Sequence, residues 1–249
     1  VLIVGCASIG AHANDDLPTN KQLTIGVSQE FETMNPIIQT MAAANYINNM
    51  VARPLVNIDP DWNWKCFMCT EVPSLENGLA KKIKEDGVDK LLVTWKIPND
   101  YKWGDGTKIT AKDFHLSWRI GNSPNVSTGS KEGYERVEEF ILDPKKPYEF
   151  QVKLKEAKYD YFQWNLYPMP SHIEGEIWKK TKDQTGAYEK QTAFTTQPTN
   201  PGIYSGPYIV KELKLGSHVV LIPNPHFGGK KPEIQKIVIK VIQNTQTME

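Results

Sequence analysis

The chain has 249 residues, and its 29 Lys+Arg balance 29 Asp+Glu to a formal net charge of zero. That balance argues against a nucleic-acid binder, which carries a basic excess or stripe. Seven Trp, ten Tyr and eight Phe supply too much apolar area for disorder, the length suffices for one large domain or two modest ones, and no run of eighteen apolar residues could span a bilayer.

Residues 1–10 are small and apolar, and polarity rises abruptly at Asn14-Asp15-Asp16. This is the pattern of the tail of an export signal. Cleavage after Ala11-His12-Ala13 would release a protein beginning at Asn14, whereas Ile3-Val4-Gly5-Cys6 has the form of a lipobox that would leave Cys6 lipidated. A buried first strand is the plainer alternative. We expect 1–13 to be a signal remnant.

Residues 23–27 alternate as a strand does. Residues 30–36 form a polar turn that closes on Asn35-Pro36, and 41–52 read as an Ala-rich helix with Asn48-Asn49 on its polar side. A short strand at 55–58 ends at Asp59-Pro60-Asp61. Residues 79–84 and 88–97 flank Asp86-Gly87, a strong hairpin signal because type I′ turns need positive φ. Asp105-Gly106 makes a second turn. Thr110-Ala111-Lys112-Asp113 then has the form of a capping box and starts a helix that runs to about Gly121.

Residues 122–133 are rich in Ser, Asn, Gly and Thr and read as a long surface loop. Residues 148–154 alternate as a strand with one wet face. The aromatic run 159–167 reads as a short buried helix, and 192–207 as a boundary rich in Pro, Gly and Thr. Strands follow at 219–222 and 237–241, and 245–249 look like the start of a helix.

Motifs of bond chemistry are missing. The five histidines form no HExxH or i, i+4 pair, and no GxSxG, P-loop or GxGxxG is present. Asp59-Pro60-Asp61-Trp62-Asn63 starts like a calcium loop but has Trp64 at the sixth position and Thr70 at the twelfth. Cys66-Phe67-Met68-Cys69 is a CxxC. Without a second such pair it makes no zinc site, which leaves a structural disulfide, free thiols or a redox pair. Glu30 and Glu32, at i, i+2 on an extended segment, point to one side. They would receive a cationic group if that side is a cleft, and water otherwise.

Taken in order, these pieces resemble the family 5 extracellular solute-binding proteins of bacterial ABC importers, the oligopeptide- and dipeptide-binding proteins. The most specific stretch is Trp103-Gly104-Asp105-Gly106-Thr107 followed by Thr110-Ala111-Lys112-Asp113-Phe114. Glu30-Phe31-Glu32-Thr33-Met34-Asn35-Pro36 is similar to the family's E-P-x-x-L-D-P, with Phe31 and Asn35 departing from it. Leu79-Ala80, Ser205-Gly206-Pro207-Tyr208 and Asn224-Pro225-His226-Phe227 match its G-L-A, T-G-P-Y and N-P-x-Y elements.

The resemblance implies an α/β, two-lobed type II periplasmic binding protein fold of the cluster C kind. It implies most of lobe I with an inserted subdomain, and a second lobe beyond the sequence. Residues 20–40 and 190–249 would be pieces of lobe I, and 41–189 the insert. It further implies reversible capture of an oligopeptide or dipeptide, delivery to ABC permease subunits, and no catalysis, metal or cofactor. A periplasmic monomer is expected, or one lipid-anchored at Cys6. Pocket residues are expected at Glu30, Phe31, Glu32 and Thr33, and also in the loop 122–134. The family also holds binders of nickel complexes, opines and oligosaccharides, and a surface sensor or adhesion module could reuse the fold.

Overall fold

A computed structural model describes residues 21–242 apart from Phe31. The signal at 1–13, Cys6, Phe31 and the helix start at 245–249 lie outside the described residues.

Two four-stranded sheets organise the described residues. The first is built from β1 (Gln22–Val27), β8 (Tyr208–Lys214), β9 (His218–Pro223) and β10 (Lys236–Val241), in the order β1-β10-β9-β8. β1 runs parallel to β10, with Leu23 opposite Ile237 and Ile25 opposite Ile239, and the other pairs are antiparallel. The second sheet, β4 (Ala80–Glu85), β5 (Val88–Lys96), β7 (Glu149–Leu154) and β6 (Val137–Leu142), is antiparallel throughout in the order β4-β5-β7-β6. A small ribbon pairs β2 (Val56–Ile58) with β3 (Trp64–Cys66).

Local chemistry explains the elements read from sequence. Asp86 and Gly87 sit at φ 51° and 81°, as a type I′ turn between β4 and β5 requires. In β7, Phe150, Val152 and Leu154 are buried, so every second residue enters one core. Helix α1 (Ala42–Val51) buries Ala43, Ala44, Ile47 and Val51 along one stripe. Asn48 belongs to that stripe as well, being four residues after Ala44, so it is buried rather than on the polar side.

Several elements differ from the sequence reading. Residues 159–167 form no helix. Gln163 N donates to Asp160 O, Trp164 N to Phe162 O and Leu166 N to Trp164 O, a series of tight turns, and Pro168 and Pro170 forbid helical continuation. The loop 122–133 is not wholly superficial. Ser123 and Val126 are buried, and the short helix α3 (Glu132–Glu135) closes it. Strands β3, β6 and β8 and helices α4 (Ser171–Thr181), α5 (Ala187–Gln191) and α6 (Ala193–Thr196) were not anticipated.

Two apolar cores result. One covers the first sheet and takes in α1, Met169, Trp178 of α4 and Tyr188 of α5. The other lies on the second sheet around Trp95, Trp103, Phe114 and Phe150. Helix α2 (Ala111–Gly121) serves both, giving Phe114 to the second core and Leu116 and Ile120 to the first. Its capping box is present, and Asp113 also accepts from Ser171 N at 2.8 Å, which ties the start of α2 to the start of α4. Among the described residues no helix is long and apolar enough to cross a membrane.

Candidate functional site

The segment after β1 is shaped by Asn35. Its Oδ1 accepts from Ile37 N at 3.0 Å, its own N donates to Thr33 Oγ1 at 3.1 Å, and Gln39 N donates to Asn35 O at 3.0 Å. Such side-chain-to-backbone bonds are what Asx turns use to reverse a chain. Met34 and Ile37 anchor the turn in the first core. Asn35 itself is fully buried, and its Nδ2 donates to Tyr188 Oη at 3.3 Å and to Thr192 Oγ1 at 3.2 Å.

Thr192 Oγ1 and Ala193 N each donate to Glu174 Oε1 at 2.8 Å. Glu174 is buried, and burial pushes its carboxyl above the ordinary glutamate range against the hydrogen bonds it accepts. The Tyr188 phenol is pushed up too, first by burial and then by the neighbouring Glu174. The floor under the Asn35 turn is therefore a polar network inside an apolar core.

Above that floor lies a cleft. A recess of about 40 Å³ is lined by Glu32, Thr33 and residues 38–41 with Ala44. A larger cavity of about 330 Å³ adjoins it through Gln39, which lines both. Its walls are residues 36–39, the loop at 129–134 and the strip 163–166. Gln39, Ser130, Gln163 and Asn165 bring amide and hydroxyl side chains to it, Tyr134 and Trp164 aromatic rings, and among the described residues no charged side chain lines it. Gln39 Oε1 is buried without a hydrogen-bond partner among the described residues. A Cβ placed on Gly129 would meet Thr40 Cγ2 at 3.3 Å, so the loop approaches the Asn35 segment closely.

Of the residues expected from sequence, Glu32 and Thr33 line the smaller recess. Glu30 is exposed and lines neither cavity; its carboxylate reaches toward the turn at Gly216, where an added Cβ would lie 3.5 Å from Oε1. Phe31 lies outside the described residues. The part of the 122–134 loop from Gly129 to Tyr134 borders the larger cavity. Sequence reasoning missed Gln39 and the 163–166 strip. The signal for the strip was Pro168 and Pro170, which argue for extended chain rather than helix.

Cys66 and Cys69 are bonded to each other with Cα atoms 5.0 Å apart, at the end of β3 and away from this cleft. Among the described residues, no group of three or more His, Cys, Asp or Glu could hold a metal ion.

The model of the bacterial extracellular solute-binding proteins, family 5 Middle, matches residues 74–249. The oligopeptide-binding protein AppA of Bacillus subtilis is 25% identical over 223 residues, covering 88% of this chain and 37% of that protein. The nickel-binding periplasmic protein of Escherichia coli is 24% identical over 249 residues, covering 98% of this chain and 41% of that one. The crystal structure of an oligopeptide binding protein from Thermus thermophilus, complexed with a pentapeptide, superimposes with a TM-score of 0.78 at 26% identity. That match covers 93% of this chain and 42% of the solved one. The chain thus spans about a third to two-fifths of the length of the relatives it matches.

Proposed function

The chain belongs to the bacterial extracellular solute-binding proteins of family 5, with the fold of the type II periplasmic binding proteins, and from that premise we propose that it captures peptides in the cleft over the Asn35 turn for an ABC importer. The observation that carries this reading is the uncharged, hydrogen-bonding lining of the larger cavity. Neutral amides and hydroxyls pair well with peptide N–H and C=O groups and tolerate many side chains. Chelated metals and opines bring several charges, which this wall does not balance.

Glu32 and Thr33 are proposed to flank the ligand from the smaller recess, with Glu32 offering a carboxylate to a cationic group. Capture without bond chemistry fits relatives that are binding proteins. Closure over the ligand and recognition of the closed form by a permease complete the proposal. A periplasmic or Cys6-anchored location accords with the family and with a Cys66–Cys69 bond formed under oxidising conditions. In the proposed division, 20–40 and 190–249 form one lobe's sheet layer and 41–189 the insert. Helices α1, α4 and α5 pack against that sheet layer through the first core.

Isothermal titration calorimetry of the protein tests the assignment. Pooled tri- to pentapeptides should give saturable heat, and Gln39→Ala combined with Asn165→Ala should weaken it roughly tenfold, as loss of two hydrogen bonds implies. Heat only with a nickel–histidine complex, an opine or an oligosaccharide would replace the peptide reading.

A further inference from the structure

Arg53 follows α1 and belongs to neither cavity. Its guanidinium carbon lies 5.0 Å from the centroid of the Phe67 ring and 5.3 Å from that of Phe227. Its Nε is buried without a hydrogen-bond partner among the described residues. No hydrogen bond joins either Nη atom to a protein group among the described residues. No carboxylate pairs with the side chain among the described residues. The titratable groups that act on it are the Tyr101 and Tyr167 phenols, and burial holds its pKa below the ordinary arginine value.

The mount is rigid. Arg53 N donates to Ser205 Oγ at 3.2 Å. Phe67 sits inside the Cys66–Cys69 loop, and Phe67 N and Met68 N both donate to Leu55 O. Phe227 stands on the Asn224 turn, where Asn224 Oδ1 accepts from His226 N and Asn224 Nδ2 donates to Gly206 O. Ring contact on a guanidinium fixes its plane and leaves its in-plane donors free.

We propose that Arg53 is a second binding site, separate from the cleft, for the carboxylate of a small organic acid. A half-buried cation without a counter-charge gains most from an anion that can pair with two parallel donors. A single guanidinium beside the Tyr101 and Tyr167 phenols suits a monoanion, which favours a carboxylate over a phosphate. The surrounding Phe67, Phe227, Tyr101 and Tyr167 suit an acid with an aromatic body. The site does not depend on what the cleft binds.

Sodium benzoate, with benzamide as the neutral isostere, is the probe. In the NMR spectrum of arginine Nε–Hε groups, the resonance missing from Arg53→Lys should shift saturably with benzoate at millimolar concentration and stay unmoved with benzamide. Ligand-observed saturation transfer should show benzoate binding weakened roughly tenfold in Arg53→Lys, which keeps the charge but loses the fork. Intermolecular NOEs should join benzoate ring protons to the Phe67 and Phe227 rings in the unaltered protein, a result that needs no variant to fold. Absence of those NOEs, an equal response to benzamide, or undiminished binding in Arg53→Lys overturns the site.

Discussion

Asn35 and Thr192 stand 157 positions apart in the chain, yet Asn35 Nδ2 donates to Thr192 Oγ1 at 3.2 Å, and the same hydroxyl donates onward to Glu174 at 2.8 Å. The turn that floors the cleft is thereby tied to a buried carboxylate on α4. Replacing Asn35 by Leu removes two donors and the Asx turn together. A loss of about 2–3 kcal/mol is expected in urea unfolding, together with weaker peptide heat. Full stability in Asn35→Leu would show that the network holds nothing in place.

Glu174 gives this network a pH dependence whose sign can be worked out. Burial raises its pKa above the ordinary 4.5, so the folded chain binds this proton more tightly than the unfolded chain does. Its contribution is fully present below pH 4.5 and is lost as pH rises through the elevated folded value. Each pH unit of elevation corresponds to about 1.4 kcal/mol. In Glu174→Gln that part of the decline should vanish. Stability curves for the two proteins that stay parallel from pH 4 to 8 would contradict this.

Asp113 joins two helices at their starts. One oxygen accepts from Thr110 N at 2.7 Å and the other from Ser171 N at 2.8 Å. Asp113→Ala leaves both amides without this acceptor. An expected loss of about 2–4 kcal/mol exceeds that of an ordinary exposed cap, because the site is buried. A change in thermal midpoint of only a degree or two would reduce the residue to a surface cap.

Gly206 lies where β8 meets the end of α1. A Cβ there would fall 2.5 Å from Val51 C and 2.6 Å from Met50 O, both backbone atoms that cannot swing aside. Gly206→Ala should lower stability by about 2 kcal/mol or more, measured by denaturant unfolding. Unchanged stability would mean that α1 can move away from the sheet at little cost.

The Cys66–Cys69 loop is short, so it removes little freedom from the unfolded chain. Cys66→Ser with Cys69→Ser should cost about 2 kcal/mol by loop-closure entropy, with the heat of the proposed peptide ligands retained because the bond lies away from the cleft. Loss of peptide binding in a folded double variant would link the loop to the cleft.

The legible parts of the fold were those with short-range causes. Asp86-Gly87 and Thr110-Ala111-Lys112-Asp113 carry their geometry within two to four residues, and both form as read. β6 was silent for a local reason. Its register shifts between Val137 and Glu139, which breaks the period of two that marks a strand. Gly175 inside α4 weakened the helical signal there. Of the cleft, the Glu32–Thr33 wall was legible through its resemblance to the family. Gln39, Trp164 and Asn165 were not, since no pattern within 163–166 says what it will face.

The sequence by itself determined the turns, the capped helix, the alternating strands and the family, because each depends on neighbours in the chain or on ordered short motifs. That Asn35, Thr192 and Glu174 share one network and that Arg53 contacts both the Phe67 and Phe227 rings emerged only from tertiary packing. Those relationships join residues far apart in sequence. The network arises because burial makes an unpaired polar group costly enough to select its partner, and the Arg53 site because aromatic rings from distant segments pack against the guanidinium.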